Sequence, residues 1–129
     1  MIKTKEDLRA YLFYDKQALG KKYSRPKWND EIWKFERALR YHEYYYNNKS
    51  RGCIYRLICA YWAYKHHNLG IRLGFSIPVN TCEKGLRLNH YGSVVINGNA
   101  RLGAFCDIHS CVNIGQRGGA KGMRIMFPL

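Results

Sequence analysis

The chain has 129 residues, which corresponds to one domain with a modest core and leaves no room for two independent domains. Lysine and arginine number 22 against 9 acidic residues, a formal net charge of +13. Such an excess suggests nucleic acid or an anionic membrane surface as partner. The basic residues are scattered and form no known nucleic-acid-binding motif, which argues against nucleic acid.

The five cysteines include no CxxC pair and no histidine at zinc-ligand spacing, so we expect no metal site. No basic segment followed by an apolar one opens the chain. The most apolar run, residues 53–64, is interrupted by Arg56 and is too short to cross a bilayer. We therefore expect a cytoplasmic protein.

The first 70 residues are predicted to be helical. Thr4 is followed three residues later by Asp7, a capping-box pattern that predicts a helix from this point to about Ala18. The apolar residues of this helix form only a narrow stripe, so we expect it to pack against the helices that follow.

Two further helices are predicted. Asn29 is expected to cap the second, and Ser50 the third, over about residues 51–67. Apolar residues at three- and four-residue spacing predict a buried face in both. These residues are Ile32, Phe35, Leu39, His42 and Tyr46 in the second helix, and Ile54, Leu57, Ile58 and Tyr61 in the third. Since cations alternate with aromatic rings, a position on a membrane surface is the alternative interpretation.

Residues 93–116 repeat with a period of six. Each hexad has an aliphatic residue, a small or apolar residue two positions earlier, and a residue tolerant of unusual backbone angles directly after. The aliphatic residues are Ile96, Leu102, Ile108 and Ile114, the small or apolar ones Val94, Ala100, Cys106 and Val112, and the following ones Asn97, Gly103, His109 and Gly115. This period is typical of hexapeptide β-helix repeats, in which three sides form a coil of roughly eighteen residues.

The six-residue register is interrupted between Pro78 and Ser93, where Leu86 and Leu88 are predicted to supply the inward-facing pair. An interruption of this kind is a place where polar side chains can be presented, and His90 lies in it. A neutral imidazole is suited to removing a proton from a hydroxyl near pH 7, so His90 is a candidate general base. If His90 is considered without the surrounding sequence, the alternative interpretation is a histidine with a structural role.

Together with the preceding segment GFSIPVNTCEKGLRLNHYGS, the hexads resemble the start of the left-handed β-helix of the hexapeptide-repeat acyltransferases. The nearest branch is the serine acetyltransferase type, which has relatives among capsular polysaccharide enzymes. The segment LNHYG at residues 88–92 is similar to the family's Leu-Asp-His-x-x-Gly segment, whose histidine is the general base. By this resemblance, His90 takes that role.

The resemblance implies an O-acetyltransferase that uses acetyl-CoA as the acetyl donor, with L-serine or a sugar hydroxyl of a surface polysaccharide as acceptor. The backbone N–H groups near Gly115, Gly118 and Gly119 are the candidates for the cofactor-binding region that stabilises the oxyanion. Members of the family form trimers, so we expect a homo-oligomer, either a trimer or a multiple of one.

Three positions depart from the family pattern. The Asp that the family has fifteen residues before its base is Phe75 here, Asn89 replaces the Asp directly before the histidine, and the family's second active-site histidine has no counterpart. A saccharide hydroxyl therefore competes with serine as the acceptor. Asp107, one coil after Asn89, is a candidate substitute carboxylate for His90, and a solvent-facing corner residue is the alternative.

The predicted fold class is α+β, with a helical region over residues 1–70, a partial left-handed parallel β-helix over residues 71–116 and a basic, glycine-containing tail over residues 117–129. The hexads do not continue past residue 116, whereas the family has several more coils that carry much of its acetyl-CoA site. The chain thus resembles a shortened relative. A catalytically inactive module for oligomerisation or membrane-surface contact is the alternative function.

Overall fold

The computed structural model describes residues 1–116 and 125–126. Three α-helices come first, and short strands follow them. The helices are α1 (Lys5–Ala18), α2 (Glu31–Asn47) and α3 (Cys53–Leu73), with a 3₁₀ turn at Lys49–Arg51. The strands are β1 (Phe75–Ser76), β2 (Arg87–Leu88), β3 (Val94–Ile96), β4 (Asp107–Ile108), β5 (Val112–Gln116) and β6 (Ile125–Met126).

The capping box of α1 is confirmed. Thr4 Oγ1 accepts a hydrogen bond from the Asp7 N–H, and the Asp7 carboxylate accepts one from the Thr4 N–H, both at 3.1 Å. The predicted cap of α2 was wrong by one residue, because Asp30 and not Asn29 precedes the helix. The Asp30 carboxylate does not cap α2 but accepts a hydrogen bond from the Tyr23 hydroxyl in the preceding loop.

The third helix begins and ends later than predicted. Ser50 lies in the 3₁₀ turn, and Gly52 directly precedes α3. The helix continues through Leu73 and ends at Gly74, whose φ is +81°. A Cβ atom at Gly74 would lie 3.1 Å from the carbonyl group of Gly92, so the left-handed backbone and the close approach both favour glycine.

The strands of the described residues form two small sheets, and the left-handed parallel β-helix predicted for residues 71–116 was wrong. One sheet has the order β1-β3-β5-β6 and is parallel except for the β5–β6 pair, while β2 and β4 form a separate parallel pair. The interrupted register explains the difference. Val94 faces Val112, eighteen residues on, but Arg87 faces Asp107, twenty residues on, so the two sheets do not share one repeat length.

The inward positions of the hexads were predicted correctly. Their four aliphatic residues are buried, as are Leu86 and Leu88. The positions predicted to have unusual backbone angles were wrong, because within residues 93–116 the positive φ values belong to Phe105 and Cys111. The Phe105 ring lies directly over Gly85, where a Cβ atom would be 2.3 Å from a ring carbon. The ring therefore occupies the space that a side chain at residue 85 would need.

One hydrophobic core connects α2 and α3 to both sheets. Phe35 and Leu39 of α2 pack with Leu73, Phe75 and the buried aliphatic residues of the strands. The rings of Phe35 and Phe75 lie 5.1 Å apart in an edge-on arrangement. A Cβ atom at Gly70 would lie 2.5 Å from the Phe75 carbonyl oxygen, so this glycine allows α3 to lie close against β1.

The predicted buried face of α3 was wrong. Ile54, Leu57 and Tyr61 are more than half exposed, and so are Tyr64 and Ile71 further along the helix. These five residues, which we call the α3 stripe, lie on one side of the helix. The residues of α3 that pack against α2, β1 and the core include His66, Leu69 and Gly70, on the other side of the helix. The apolar period of this helix therefore does not mark its packing face.

A buried ion network, which the sequence patterns did not predict, connects the helices to the segment before β2. Arg40 is fully buried. Its guanidinium donates to the carboxylates of Asp15 at 2.6 Å and Glu43 at 2.8 Å, and to the backbone carbonyls of Cys82 and Glu83 at 2.7 and 2.8 Å. The buried charge therefore has protein acceptors on several sides in place of water.

Two buried carboxylates hold the segment that leads into β2. Asp15 accepts hydrogen bonds from the N–H groups of Gly85 and Leu86, both at 2.9 Å, and Glu36 accepts one from the N–H of Leu88 at 3.1 Å. The second oxygen of Glu36 is buried without a hydrogen-bond partner among the described residues. Burial, with the nearby Asp15 charge, raises the pKa of Glu36 well above its usual range.

Replacing Arg40 with methionine is expected to lower the free energy of unfolding by about 3–5 kcal/mol, because the buried Asp15 and Glu43 carboxylates lose their cation. Urea denaturation followed by circular dichroism measures the change. Arg37→Met, at a half-buried position of the same helix, is the matched control and should cost less than about 1 kcal/mol. Equal losses in the two variants would contradict the structural role of the network.

The stability conferred by Glu36 is expected to depend on pH. Its pKa is raised on folding, so the native state binds more protons than the unfolded state and stability falls as pH rises from about 4 through the native pKa. Glu36→Gln keeps an acceptor for Leu88 and cannot ionise. The stability of the variant relative to wild type should therefore increase between about pH 4 and pH 8, as measured by urea denaturation. A difference that stays constant over this range would contradict the prediction.

Candidate active site around His90

His90 lies on the loop that follows β2. The backbone fixes both ends of this loop, because the Asn89 N–H donates to a carbonyl of β4 at 3.0 Å and the Gly92 N–H donates to the Leu73 carbonyl at 3.0 Å. The His90 side chain itself is exposed. Its ring faces that of His109, with the centroids 6.4 Å apart. The result is an accessible imidazole on an anchored loop.

Asn89 and Asp107 are in direct contact. The Asn89 amide donates to the Asp107 carboxylate and, at 3.3 Å, to the carbonyl of Ile108. The Arg87 guanidinium lies 3.9 Å from the other carboxylate oxygen. Within the described residues no hydrogen bond connects Asp107 to His90, so this carboxylate fixes the residue before the histidine. The strand partner of Asp107 is Arg87, whereas the coil length predicted Asn89.

A polar cleft of about 190 Å³ opens beside this loop. Asn89 and Tyr91 line it, whereas His90, which lies between them, is not among the lining residues. Lys21 and Asp30, from the connection between α1 and α2, are among the residues that line the opposite side. The cleft therefore lies where the helical region meets the strands, and the sequence could not indicate it because its two sides are distant along the chain.

The cleft contains an ion pair between Lys21 and Asp30. Lys21 Nζ donates to the Asp30 carboxylate at 2.9 Å, and the Tyr23 hydroxyl donates to it at 2.7 Å. These hydrogen bonds lower the pKa of Asp30 to about 2, and the one from Lys21 has the largest effect. The Arg87 side chain supplies a second cation to the cleft. Charged donors and an acceptor are thus available to a small molecule with several polar groups.

The glycines predicted to bind the cofactor are only partly within the described residues. Gly115 lies in β5 and pairs with Met126, so it belongs to a strand and not to the predicted turn. Gly118 and Gly119 lie outside the described residues. Phe75, which stands where the family has an Asp, is buried in the core, so this position offers an aromatic ring and no carboxylate.

His42, which the sequence predicted for the buried face of α2, is in contact with His66 of α3. The Nδ1 atoms of His42 and His66 lie 2.9 Å apart, and both residues line a cavity of about 580 Å³ together with Ser76. Burial, reinforced by His42, lowers the pKa of His66 to about 4, and burial also lowers the pKa of His42. Both rings are therefore neutral at pH 7, and the bond between them joins α2 to α3. Only the packing of two separate helices reveals this pair.

Among residues 1–116 and 125–126, no three His, Cys, Asp or Glu side chains are grouped so that they could hold a metal ion. No helix in this part of the chain combines the length and the apolar character that crossing a membrane requires. None of the protein-family models, curated proteins or solved structures compared with the chain gives a significant match. The likeness of the hexads and the LNHYG segment to the acyltransferases therefore stays a prediction.

Proposed function

We propose that the chain is an O-acetyltransferase, similar to serine acetyltransferases, that transfers the acetyl group of acetyl-CoA to a hydroxyl with His90 as general base. The observation that carries the proposal is the exposed imidazole between Asn89 and Tyr91, two residues that line a polar cleft. A base must lie within hydrogen-bond reach of the proton that it removes. His90 is not itself among the residues that line the cleft, so an acceptor bound there must extend its hydroxyl beyond the lining to reach the imidazole. Since acetyl-CoA is the donor, the proposal includes a cytoplasmic location.

The proposed reaction assigns one role to each side chain. Neutral His90 accepts the hydroxyl proton while the oxygen forms a bond to the acetyl carbon, the bond from that carbon to sulfur breaks, and the sulfur takes up the proton. Acetyl-CoA supplies the activated acetyl group, and the net charge of +13 suits its phosphates. Asp107 is a positioning residue, because it holds Asn89 next to the base. Gly115, Gly118 and Gly119 remain the proposed cofactor-binding residues.

The size and charge of the cleft favour a small acceptor. Its volume of about 190 Å³ is below the roughly 300–1,000 Å³ of typical ligand pockets, so it would hold a single hydroxyl-bearing unit. The Asp30 carboxylate already accepts hydrogen bonds from Lys21, Tyr23 and the Lys27 N–H. Of its roughly four acceptor sites, about one is left for a hydroxyl of a sugar ring or the ammonium group of L-serine. Both acceptors are therefore part of the proposal.

Release of free thiol from acetyl-CoA, with L-serine and a panel of sugars as acceptors, tests this function. We expect turnover by the wild type and a loss of at least about 100-fold in His90→Ala, the usual effect of removing a general base. Asp107→Asn should also reduce turnover sharply. His67→Ala, which alters an exposed histidine on α3, is the matched control and should keep wild-type turnover. Equal turnover in wild type and His90→Ala would contradict the role of His90, and folded protein without turnover would favour the second function.

As a second candidate function, we propose that the α3 stripe mediates self-association. Its residues are Ile54, Leu57, Tyr61, Tyr64 and Ile71. They follow the alternating three- and four-residue spacing of a coiled-coil seam, and Asn68 occupies the one intervening seam position. One aromatic side chain removes about 150–250 Å² from water when it is buried. The stripe can therefore supply much of the about 800 Å² per partner of a standard interface.

A second copy of the chain is the occupant that the charges around the stripe favour. Lys65 and Arg72 flank its C-terminal half, whereas the uncharged Ile58 and Ala60 flank its N-terminal half. Parallel pairing of two copies would place their cations opposite one another, where they repel. Antiparallel pairing places the cations of one copy beside the uncharged half of the other. This contact joins two copies, and the trimer implied by the family resemblance would need a further contact.

Light scattering coupled to gel filtration tests self-association. We expect wild type to elute as a dimer or larger assembly at tens of micromolar, and Leu57→Glu to elute as a monomer, because a charge at the centre of the seam is costly to bury. Phe13→Glu, at a half-exposed apolar position on α1, is the matched control and should not dissociate the assembly. A monomeric wild type would contradict the proposal. If that monomer binds anionic vesicles and Leu57→Glu does not, the stripe is a membrane-surface contact.

A further inference from the structure

We propose that a cationic groove between α2 and α3 binds a small organic phosphate, independently of the reaction proposed for His90. The groove has a volume of about 390 Å³. Lys34 and Arg37 of α2 and Lys65 and Arg72 of α3 line it, together with one carboxylate, that of Glu31. Four cations around one concave surface create a positive potential that attracts anions.

Two of these cations have no carboxylate partner within the described part of the chain. Arg37 lies 5.9 Å from the ring centre of Tyr41, and Lys65 lies 5.9 Å from that of Tyr61. At this distance an aromatic ring attracts a cation weakly and leaves its N–H donors available. Arg37 and Lys65 approach the groove from opposite helices, so a phosphate between them would receive hydrogen bonds from two sides.

The other two cations lie near Glu31, and Lys34 Nζ also donates a hydrogen bond to the Trp28 carbonyl at 2.8 Å. Lys34 Nζ and an Arg72 guanidinium nitrogen each lie 3.6 Å from a different Glu31 oxygen. These distances exceed a good hydrogen bond, so the ion pairs are weak and one carboxylate serves two cations. The Glu31 oxygen that faces Arg72 is buried and has no hydrogen-bond partner among the described residues. Glu31 therefore keeps two cations together without neutralising the groove.

The floor of the groove is apolar and aromatic. Ala38 is buried, and Leu69 and Trp62 are half-buried. The Trp62 ring is stacked on Tyr41, with centroids 4.6 Å apart and an angle of 14° between the planes, which fixes its orientation. Cations above such a floor match a ligand with a phosphate group attached to a ring, as in a sugar phosphate or a nucleoside monophosphate. The volume falls within the roughly 300–1,000 Å³ of small-molecule pockets.

Titration calorimetry with four probes tests the proposal. AMP and glucose 6-phosphate each combine a phosphate group with a ring. Adenosine has the rings without the phosphate, and inorganic phosphate has no ring. At least one of AMP and glucose 6-phosphate should bind the wild type about ten-fold more tightly than adenosine or inorganic phosphate does. This binding should weaken as the salt concentration is raised. Which ring phosphate binds better distinguishes a nucleoside from a sugar ligand. The proposal is overturned if neither binds more tightly than inorganic phosphate.

The double variant Arg37→Gln/Lys65→Gln should weaken binding of the ring phosphate at least about ten-fold, because it removes two charged donors and little volume. Lys3→Gln/Lys5→Gln removes the same charge from exposed positions near α1 and should change the affinity less than about two-fold. An equal loss in both double variants would show attraction to the overall charge and would overturn the site. Circular dichroism verifies that each variant is folded. If a double variant does not fold, its two single variants are measured instead.

Discussion

The buried guanidinium of Arg40 is the interaction on which the rest of the structure depends, because three parts of the chain meet at it. Its acceptors come from α1 through Asp15, from α2 through Glu43, and from the backbone carbonyls of Cys82 and Glu83. A charge withdrawn from water is tolerated only when acceptors surround it. The helices and the segment before β2 must therefore be in place together.

The same network reaches the candidate active site through the backbone. Asp15, besides binding Arg40, accepts the N–H groups of residues 85 and 86, and Glu36 accepts that of Leu88. The chain then enters the loop that carries His90, whose far end is fixed to the end of α3. An exposed imidazole is held in this way by buried charges, and the cleft beside it lies where the helical region meets the strands.

Several local features of the fold could be predicted from sequence. The capping box at Thr4 depends on residues three apart, and the buried hexad positions depend on a short repeat, so both could be found from neighbouring residues. The β-helix could not be inferred safely from that repeat, because the interrupted segment changed the strand register. The sequence patterns did not single out Glu36 and Arg40, although both are buried.

For the candidate site, a short motif selected His90 and the coil length selected Asp107. Neither the cleft nor the His42–His66 contact was predictable, since their parts come from separate elements. By itself, the sequence determined where α1 begins and which strand residues point inward, because these features depend on close neighbours along the chain. Only the tertiary structure decided that a charged face of α2 is buried and an apolar face of α3 is exposed. Burial of a helix face depends on partners that are distant in sequence.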